Sequence, residues 1–171
     1  MATDTAAHTV RLFLALWPSP AVRRRLGEEQ ARWHWPVGTA LTPADNLHLT
    51  LHFIGAVPAA RVPGVMQGLR ANASRFTLEL DTPELWPNRC AVWRPSQTPA
   101  ALAELHSALA QALRALGLPV EPRPFHPHVT LARHASGAVP PTQPSALRWP
   151  VRGCALVQSA AGRYTPIARY G

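Results

Sequence analysis

Two short strings carry the residues best suited to chemistry: His48-Leu49-Thr50-Leu51 and His128-Val129-Thr130-Leu131. Each is a His-x-Thr-Leu tetrad inside an apolar run. A strand sends alternate side chains to opposite faces, so each His would share a face with its Thr while Leu or Val packs behind. Two such presentations suggest two half-sites facing one substrate. Imidazole titrates near pH ~6.5, so around neutrality one ring can hold a proton while the other lacks one. One ring can then deprotonate an attacking group while the other protonates a leaving group, each role typically contributing roughly 10²–10⁴ in rate. A Thr hydroxyl on the same face can donate to a phosphoryl oxygen as charge develops there. His48, Thr50, His128 and Thr130 are therefore the candidate catalytic set, suited to phosphoryl transfer without a metal or a covalent intermediate.

The elements that must position these residues follow from the apolar pattern. Val10–Trp17 reads as a buried strand, and Ser19-Pro20 as the cap and first position of a helix running to about Trp33. Leu47–Gly55 is the strand of the first tetrad. A helix is expected from Ala59 to Ala71, weakened by Pro63 and Gly64, then strands at Arg75–Leu80 and Cys90–Trp93. Pro99–Leu116 has the clearest helical spacing and is stopped by Gly117-Leu-Pro119. The second tetrad lies on a strand from about His128 to Arg133. Residues 135–150 read as a loop, and Val151–Gln158 and Arg163–Arg169 as closing strands. Each tetrad strand is preceded by a helix, which implies an α+β fold with two similar halves.

Composition narrows the partner. The chain has 171 residues, 47% hydrophobic and 15% charged, which fits one globular domain with a real core. Residues 1–9, small and polar, read as a flexible tail. Net charge is +8, and all seventeen basic residues are Arg. With no Lys, a P-loop lysine, a Schiff base and a nucleotidyl-lysine are excluded. Arg offers a planar fork suited to phosphate oxygens, and a basic surface fits a nucleic-acid partner. Cys90 and Cys154 lack zinc or redox spacing, and no segment reads as a signal peptide or membrane span, so a reduced cytoplasmic chain is expected.

The flanks of the tetrads carry a family resemblance. Arg11-Leu-Phe-Leu-Ala-Leu16, Asn46-Leu-His48-Leu-Thr50-Leu-His-Phe-Ile-Gly55, Phe125-His-Pro-His128-Val-Thr130-Leu-Ala-Arg133, and Gln158-Ser159 followed by Gly162-Arg-Tyr164 resemble the 2H phosphoesterase superfamily. Its hallmark is two His-x-Thr/Ser tetrads. More narrowly the chain is similar to the bacterial RNA 2′,3′-cyclic phosphodiesterases, also called 2′–5′ RNA ligases. The resemblance implies a single bilobal domain over residues 1–171, pseudo-twofold, with two antiparallel sheets flanking a central cleft and helices outside. It implies hydrolysis of RNA 2′,3′-cyclic phosphate ends to 2′-phosphates, on tRNA halves or short oligoribonucleotides, by a monomer needing no cofactor. His48 would be the acid toward the 3′-oxygen and His128 would activate water, though the near-symmetric motif does not itself fix the two roles. The same groups would serve the reverse, 2′–5′ joining reaction. Another cyclic nucleotide, a 2′–5′ oligonucleotide, or RNA binding without turnover are the alternatives.

Further residues follow with the family motif. Arg133 is expected to bind phosphate, yet strict alternation turns it away from His128 unless the strand ends or bulges near Ala132. Phe13, Phe125 and Tyr164 are candidate substrate contacts, and Phe53 is expected in the core opposite His48. Alternation places His52 with His48 and His126 with His128. Four imidazoles could hold a transition metal, but neither motif supplies a carboxylate, so no metal is expected and both read as lip residues. His8, His34, His106 and His134 read as structural, and Arg23-Arg24-Arg25 as a solvated helix face or an RNA contact. The segment Ser159–Gly162 is shorter than the family connection, so an altered final hairpin is expected.

Overall fold

A computed structural model describes residues 8–71, 74–143 and 145–171. In chain order the strands are β1 (Thr9–Leu16), β2 (Ala40–Leu41), β3 (Leu49–Pro58), β4 (Phe76–Leu80), β5 (Thr82–Leu85), β6 (Ala91–Arg94), β7 (Val129–Arg133), β8 (Leu147–Val151), β9 (Cys154–Ala160) and β10 (Arg163–Tyr170). The helices are α1 (Pro20–Ala31), α2 (Val62–Gly68) and α3 (Ala100–Ala115). Ser19 Oγ accepts the Val22 amide at 3.3 Å, capping α1 with Pro20 in its first turn. α3 buries Leu102, Leu105, Leu109 and Leu113. It closes on Gly117 at φ 67°, with the Leu118 amide donating to the Leu113 carbonyl at 2.9 Å. That left-handed turn satisfies a carbonyl the helix end would otherwise orphan.

The strands run in the order β10–β9–β1–β3–β7–β6–β5, all antiparallel, with β2 on the edge of β7. Within each half the ladders are long; β1 and β3 pair from Thr9↔Pro58 to Leu16↔Leu49. Between the halves, β3 and β7 pair only at Leu49↔Val129. Two antiparallel sheets therefore meet at one residue pair, and a cleft opens around it. A separate β4–β8 ladder packs against α3 and α1, which lie outside the sheets. One apolar core runs through both halves, from Leu12, Leu14 and Leu16 to Trp93 and Leu131.

Several expected boundaries move. The helix expected over 59–71 is a 3₁₀ turn (Ala59–Arg61) followed by the short α2, as Pro63 and Gly64 allow little more. The stretch 135–150, expected as a loop, contains most of β8. Its Leu147-x-Trp149-x-Val151 alternation buries every second residue, and Pro150 is accommodated because β4 is the only strand paired with β8 among the described residues. β2 and β5 were not expected. The expected tail lies mostly outside the described residues, but Thr9 already pairs with Pro58 and the His8 carbonyl accepts the Ala59 amide at 2.8 Å. No described helix is long and apolar enough to cross a membrane.

Candidate active site

An antiparallel residue pair has local twofold symmetry. The dyad through Leu49↔Val129 relates His48 to His128 and Thr50 to Thr130. Leu49 and Val129 are fully buried, so their flanking neighbours turn to the opposite, cleft-facing side. Diagonal neighbours on one face of such a ladder lie roughly 7–8 Å apart, a span that admits a phosphoryl group between two imidazoles.

Both rings are held alike. Nδ1 of His48 donates to the Asn46 carbonyl at 2.6 Å, and Nδ1 of His128 to the His126 carbonyl at 2.7 Å. A carbonyl can only accept, so Nδ1 carries the proton and Nε2 is the unprotonated nitrogen of the neutral ring. Nε2 of His48 accepts from Thr50 Oγ1 at 2.9 Å. Burial is the main cause that lowers the His48 pKa to about 4; the Asn46 hydrogen bond opposes it, and His128 and Arg133 add repulsion. His128 is lowered as well, first by burial and then by Arg133 and His126.

The supports come from distant segments. Asn46 Nδ2 donates to the Gly162 carbonyl at 2.8 Å, and its Oδ1 accepts the Tyr164 amide at 3.3 Å, tying the β9–β10 turn to the flank of β3. Gln30 of α1 donates to the Leu131 and Thr42 carbonyls, and Thr42 Oγ1 to the Thr130 carbonyl at 2.8 Å. The final turn, despite its short sequence, thus sets Tyr164 edge-on to His48, ring centroids 5.4 Å apart. Phe13 is buried beneath His48 at 4.9 Å and forms floor.

Three bulges decide which other residues reach the cleft. On β7, Thr130 and Ala132 oppose consecutive β6 residues, Val92 and Ala91, so Leu131 is the extra residue. That is the irregularity Arg133 needs: it lines the cleft, with Nη1 at 3.6 Å from Cys90 Sγ. On β3, Thr50 and His52 oppose Ala15 and Leu14, and Phe53 and Gly55 oppose Phe13 and Leu12. The shift at Leu51 corrects two expectations. His52 leaves the His48 face, is 2% exposed, stacks on His106 at 4.0 Å and bonds its carbonyl at 2.8 Å. Phe53, expected in the core, instead lines the cleft at 62% exposure. Phe125 also misses the cleft. It stacks on the far face of His106 at 4.0 Å, packed against the core. His126 lies outside with Glu84 and Arg94, contributing only its carbonyl to His128. The four imidazoles do not converge, and the described residues contain no cluster of three or more His, Cys, Asp or Glu that could hold a metal.

The cleft encloses about 530 Å³ and is lined by Arg11, Arg123 and Arg133 with no carboxylate among its described lining residues. Its charge suits an anion. A cavity of about 620 Å³ beside Trp149 and Arg152 lacks any histidine. Sequence reasoning missed the two indoles that flank the imidazoles: Trp17 stacks on His48 at 5.8 Å and Trp86 leans on His128 at 4.4 Å. It also missed the role of the arginine triplet's first member, since Arg23 lies over Trp17 at 5.5 Å and pairs with Asp45 at 3.6 Å.

Residues 18–163 match the model of the 2′-5′ RNA ligase superfamily. The chain belongs to this superfamily. Among relatives of this member, an RNA 2′,3′-cyclic phosphodiesterase from Escherichia coli is 33% identical over 168 residues, covering 94% of this chain and 95% of that protein. Another of the same name from Thermus thermophilus is 35% identical, covering 88% and 82%. The crystal structure of E. coli LigT in apo form superposes with a TM-score of 0.79 at 35% identity, covering 94% of this chain and 96% of that one. LigT has also been crystallised with 3′-AMP, with a TM-score of 0.78 at 32% identity, covering 95% and 97%.

Proposed function

We propose that the chain is an RNA 2′,3′-cyclic phosphodiesterase that opens a terminal cyclic phosphate to the 2′-phosphate. The observation that carries this reading is the dyad-related pair of His-Thr sets in an arginine-lined cleft without a carboxylate. His128 Nε2 takes a proton from water as its oxygen bonds to phosphorus. The bond from phosphorus to the 3′-oxygen breaks, and that oxygen takes the proton from His48 Nε2. Thr50 and Thr130 donate to the non-bridging oxygens, and Arg133 balances the charge growing on them. The direction is supported by asymmetry: Phe13, Phe53 and Tyr164 cluster on the His48 side, where the nucleoside carrying the leaving oxygen belongs, while Arg133 and Cys90 lie beyond His128. The names of the relatives support the same substrate. With the 5′-hydroxyl of a second RNA in place of water, His128 takes that hydroxyl's proton as its oxygen bonds to phosphorus, and the 3′-oxygen again leaves with the proton from His48, which yields a 2′–5′ linkage.

Both half-sites lie on one chain, so a monomer supplies a complete site, read here as one bilobal unit working in the cytoplasm on short RNAs or tRNA halves. The test is incubation of an RNA oligonucleotide ending in a 2′,3′-cyclic phosphate, with EDTA present. A 2′-phosphate product is expected. A 3′-phosphate product would reverse the assigned leaving group, and a requirement for added metal would overturn the two-histidine mechanism.

A further inference from the structure

The ladder between the two half-sites is the single pair Leu49↔Val129. A ladder that short can pivot, so the mutual aim of the two imidazoles depends on side-chain contacts made elsewhere across the halves. One such contact lies behind the cleft. His52, four residues after His48, lies flat on His106 of α3, ring centroids 4.0 Å and planes 21° apart. Phe125 lies flat on the far face of His106, at 4.0 Å and 12°. The stack is also fixed in register, because His52 Nε2 donates to the His106 carbonyl at 2.8 Å. Donation from Nε2 leaves Nδ1 as the unprotonated nitrogen of a neutral ring, and that buried atom has no hydrogen-bond partner among the described residues. An aliphatic side chain would fill the same space without an unpaired polar atom, so packing alone does not account for an imidazole here.

What the stack holds is the approach to the second tetrad. Residues 116–128 form neither strand nor helix, and residues 121–124 are all exposed. Phe125 is the first side chain after them that packs against the core. Three residues on is His128, whose Nδ1 donates to the His126 carbonyl at 2.7 Å. The span between is stiff, since Pro127 fixes its own φ and confines His126 to extended conformations. A shift of the Phe125 ring is therefore carried to the His126 carbonyl, and from there to the His128 imidazole.

We propose that His52, His106 and Phe125 form a brace between the half-sites, and that His106, at its centre, is a positioning residue for His128. His106 touches neither the substrate nor the reacting atoms. It clamps Phe125 to the strand that follows His48, so that Nε2 of His128 stays aimed at the attacking oxygen. Thr50, Thr130 and Arg133 lie within β3 and β7, outside the segment the brace supports. Loss of the brace should therefore reduce turnover far more than substrate binding.

The effect on turnover rests on the two-histidine reading, so the test pairs kinetics with nitrogen-15 spectra of the histidine rings. Wild type, His106→Ala, His106→Leu and His106→Phe are compared at a temperature where circular dichroism shows all four folded. His106→Phe keeps a flat ring between His52 and Phe125, together with the backbone carbonyl that His52 bonds. On an RNA ending in a 2′,3′-cyclic phosphate, His106→Ala and His106→Leu should lower kcat by roughly ten- to hundredfold, the cost of a misplacement of about 1 Å. KM should stay within about threefold in every variant, and kcat of His106→Phe within about threefold of wild type. The His128 ring, held as the Nδ1–H tautomer in wild type, should become a mixture of tautomers in His106→Ala and return to one tautomer in His106→Phe. A melting temperature that falls in His106→Ala while kcat and the tautomer stay put would make the stack structural and overturn the proposal. Full activity in His106→Leu would overturn it too, as would a lower kcat with the His128 tautomer unchanged. A wild-type chain whose His128 tautomer depends on His106, yet which leaves the cyclic phosphate intact, would sink the phosphodiesterase reading and leave the brace standing.

Discussion

The strongest quantitative consequence of this cleft is that anion binding should draw a proton onto His48. Without an anion beside it the ring has a pKa of about 4, against an ordinary value near ~6.5. Burial accounts for most of the difference, and His128 and Arg133 repel a second positive charge. Protonating His48 there costs about 3 kcal/mol more than in water, and at pH 7 only about one ring in a thousand is charged. The proposed mechanism needs that charge, so the substrate phosphate must supply the compensating field. Sulfate isolates the effect, because it stays dianionic over the whole range of interest. If sulfate returns His48 to its ordinary range, each binding event at pH 6 takes up about 0.8 proton, and affinity rises about twentyfold from pH 7 to pH 5. His128, lowered in the same direction, adds to both figures.

The assay is calorimetric titration of sulfate in two buffers of different ionisation enthalpy, whose difference gives protons taken up directly. His48→Gln keeps a donor for the Asn46 carbonyl and cannot titrate, so its uptake should fall by the His48 share. An affinity flat between pH 7 and pH 5 would refute the reasoning, as would uptake in His48→Gln equal to wild type. Either result would mean that the ring does not change charge when an anion enters.

The kinetics should show the same displacement. Both free imidazoles titrate below the ordinary range, so the limbs of kcat/KM should lie acid of those of kcat, read from rate profiles between pH 4 and 9. His48→Ala and His128→Ala should each lower kcat by roughly 10²–10⁴, with the double variant little worse than the poorer single one, as for groups that act together. Asn46→Ala leaves the Gly162 carbonyl and the Tyr164 amide without their partner; it should cost about 1–3 kcal/mol in urea unfolding and reduce kcat through Tyr164 and His48. The stack of buried His52 on half-buried His106 predicts acid sensitivity. Burial lowers both, His106 to about 4, and Arg114 further disfavours a charge on His52. The unfolded chain takes up these protons near pH ~6.5 and the folded chain does not, so stability should be intact above that pH and fall progressively toward pH 4. Melting temperatures of His106→Gln should fall less steeply over that interval.

What could be read from sequence divides at the β-bulges. The pairs His48/Thr50 and His128/Thr130 needed only alternation over three residues and a matched apolar background, and both hold because each tetrad flanks the Leu49↔Val129 pair before its strand shifts register. Alternation fails farther along. One extra residue reverses the face of everything after it, so His52 and Phe53 exchanged places, and Arg133 reached the cleft only through the irregularity at Leu131. Nothing in Leu51-His52-Phe53 signals that reversal locally. Its cause is remote: His106 and Phe125, from α3 and the loop before β7, form the stack that takes His52 in. The indoles of Trp17 and Trp86 were illegible for the same reason, since each meets its imidazole across the fold and not along a strand. The bulges let β3 present His48, Thr50 and the ring of Phe53 on one face while its hydrophobic side remains in the core, which regular alternation over the same residues does not permit.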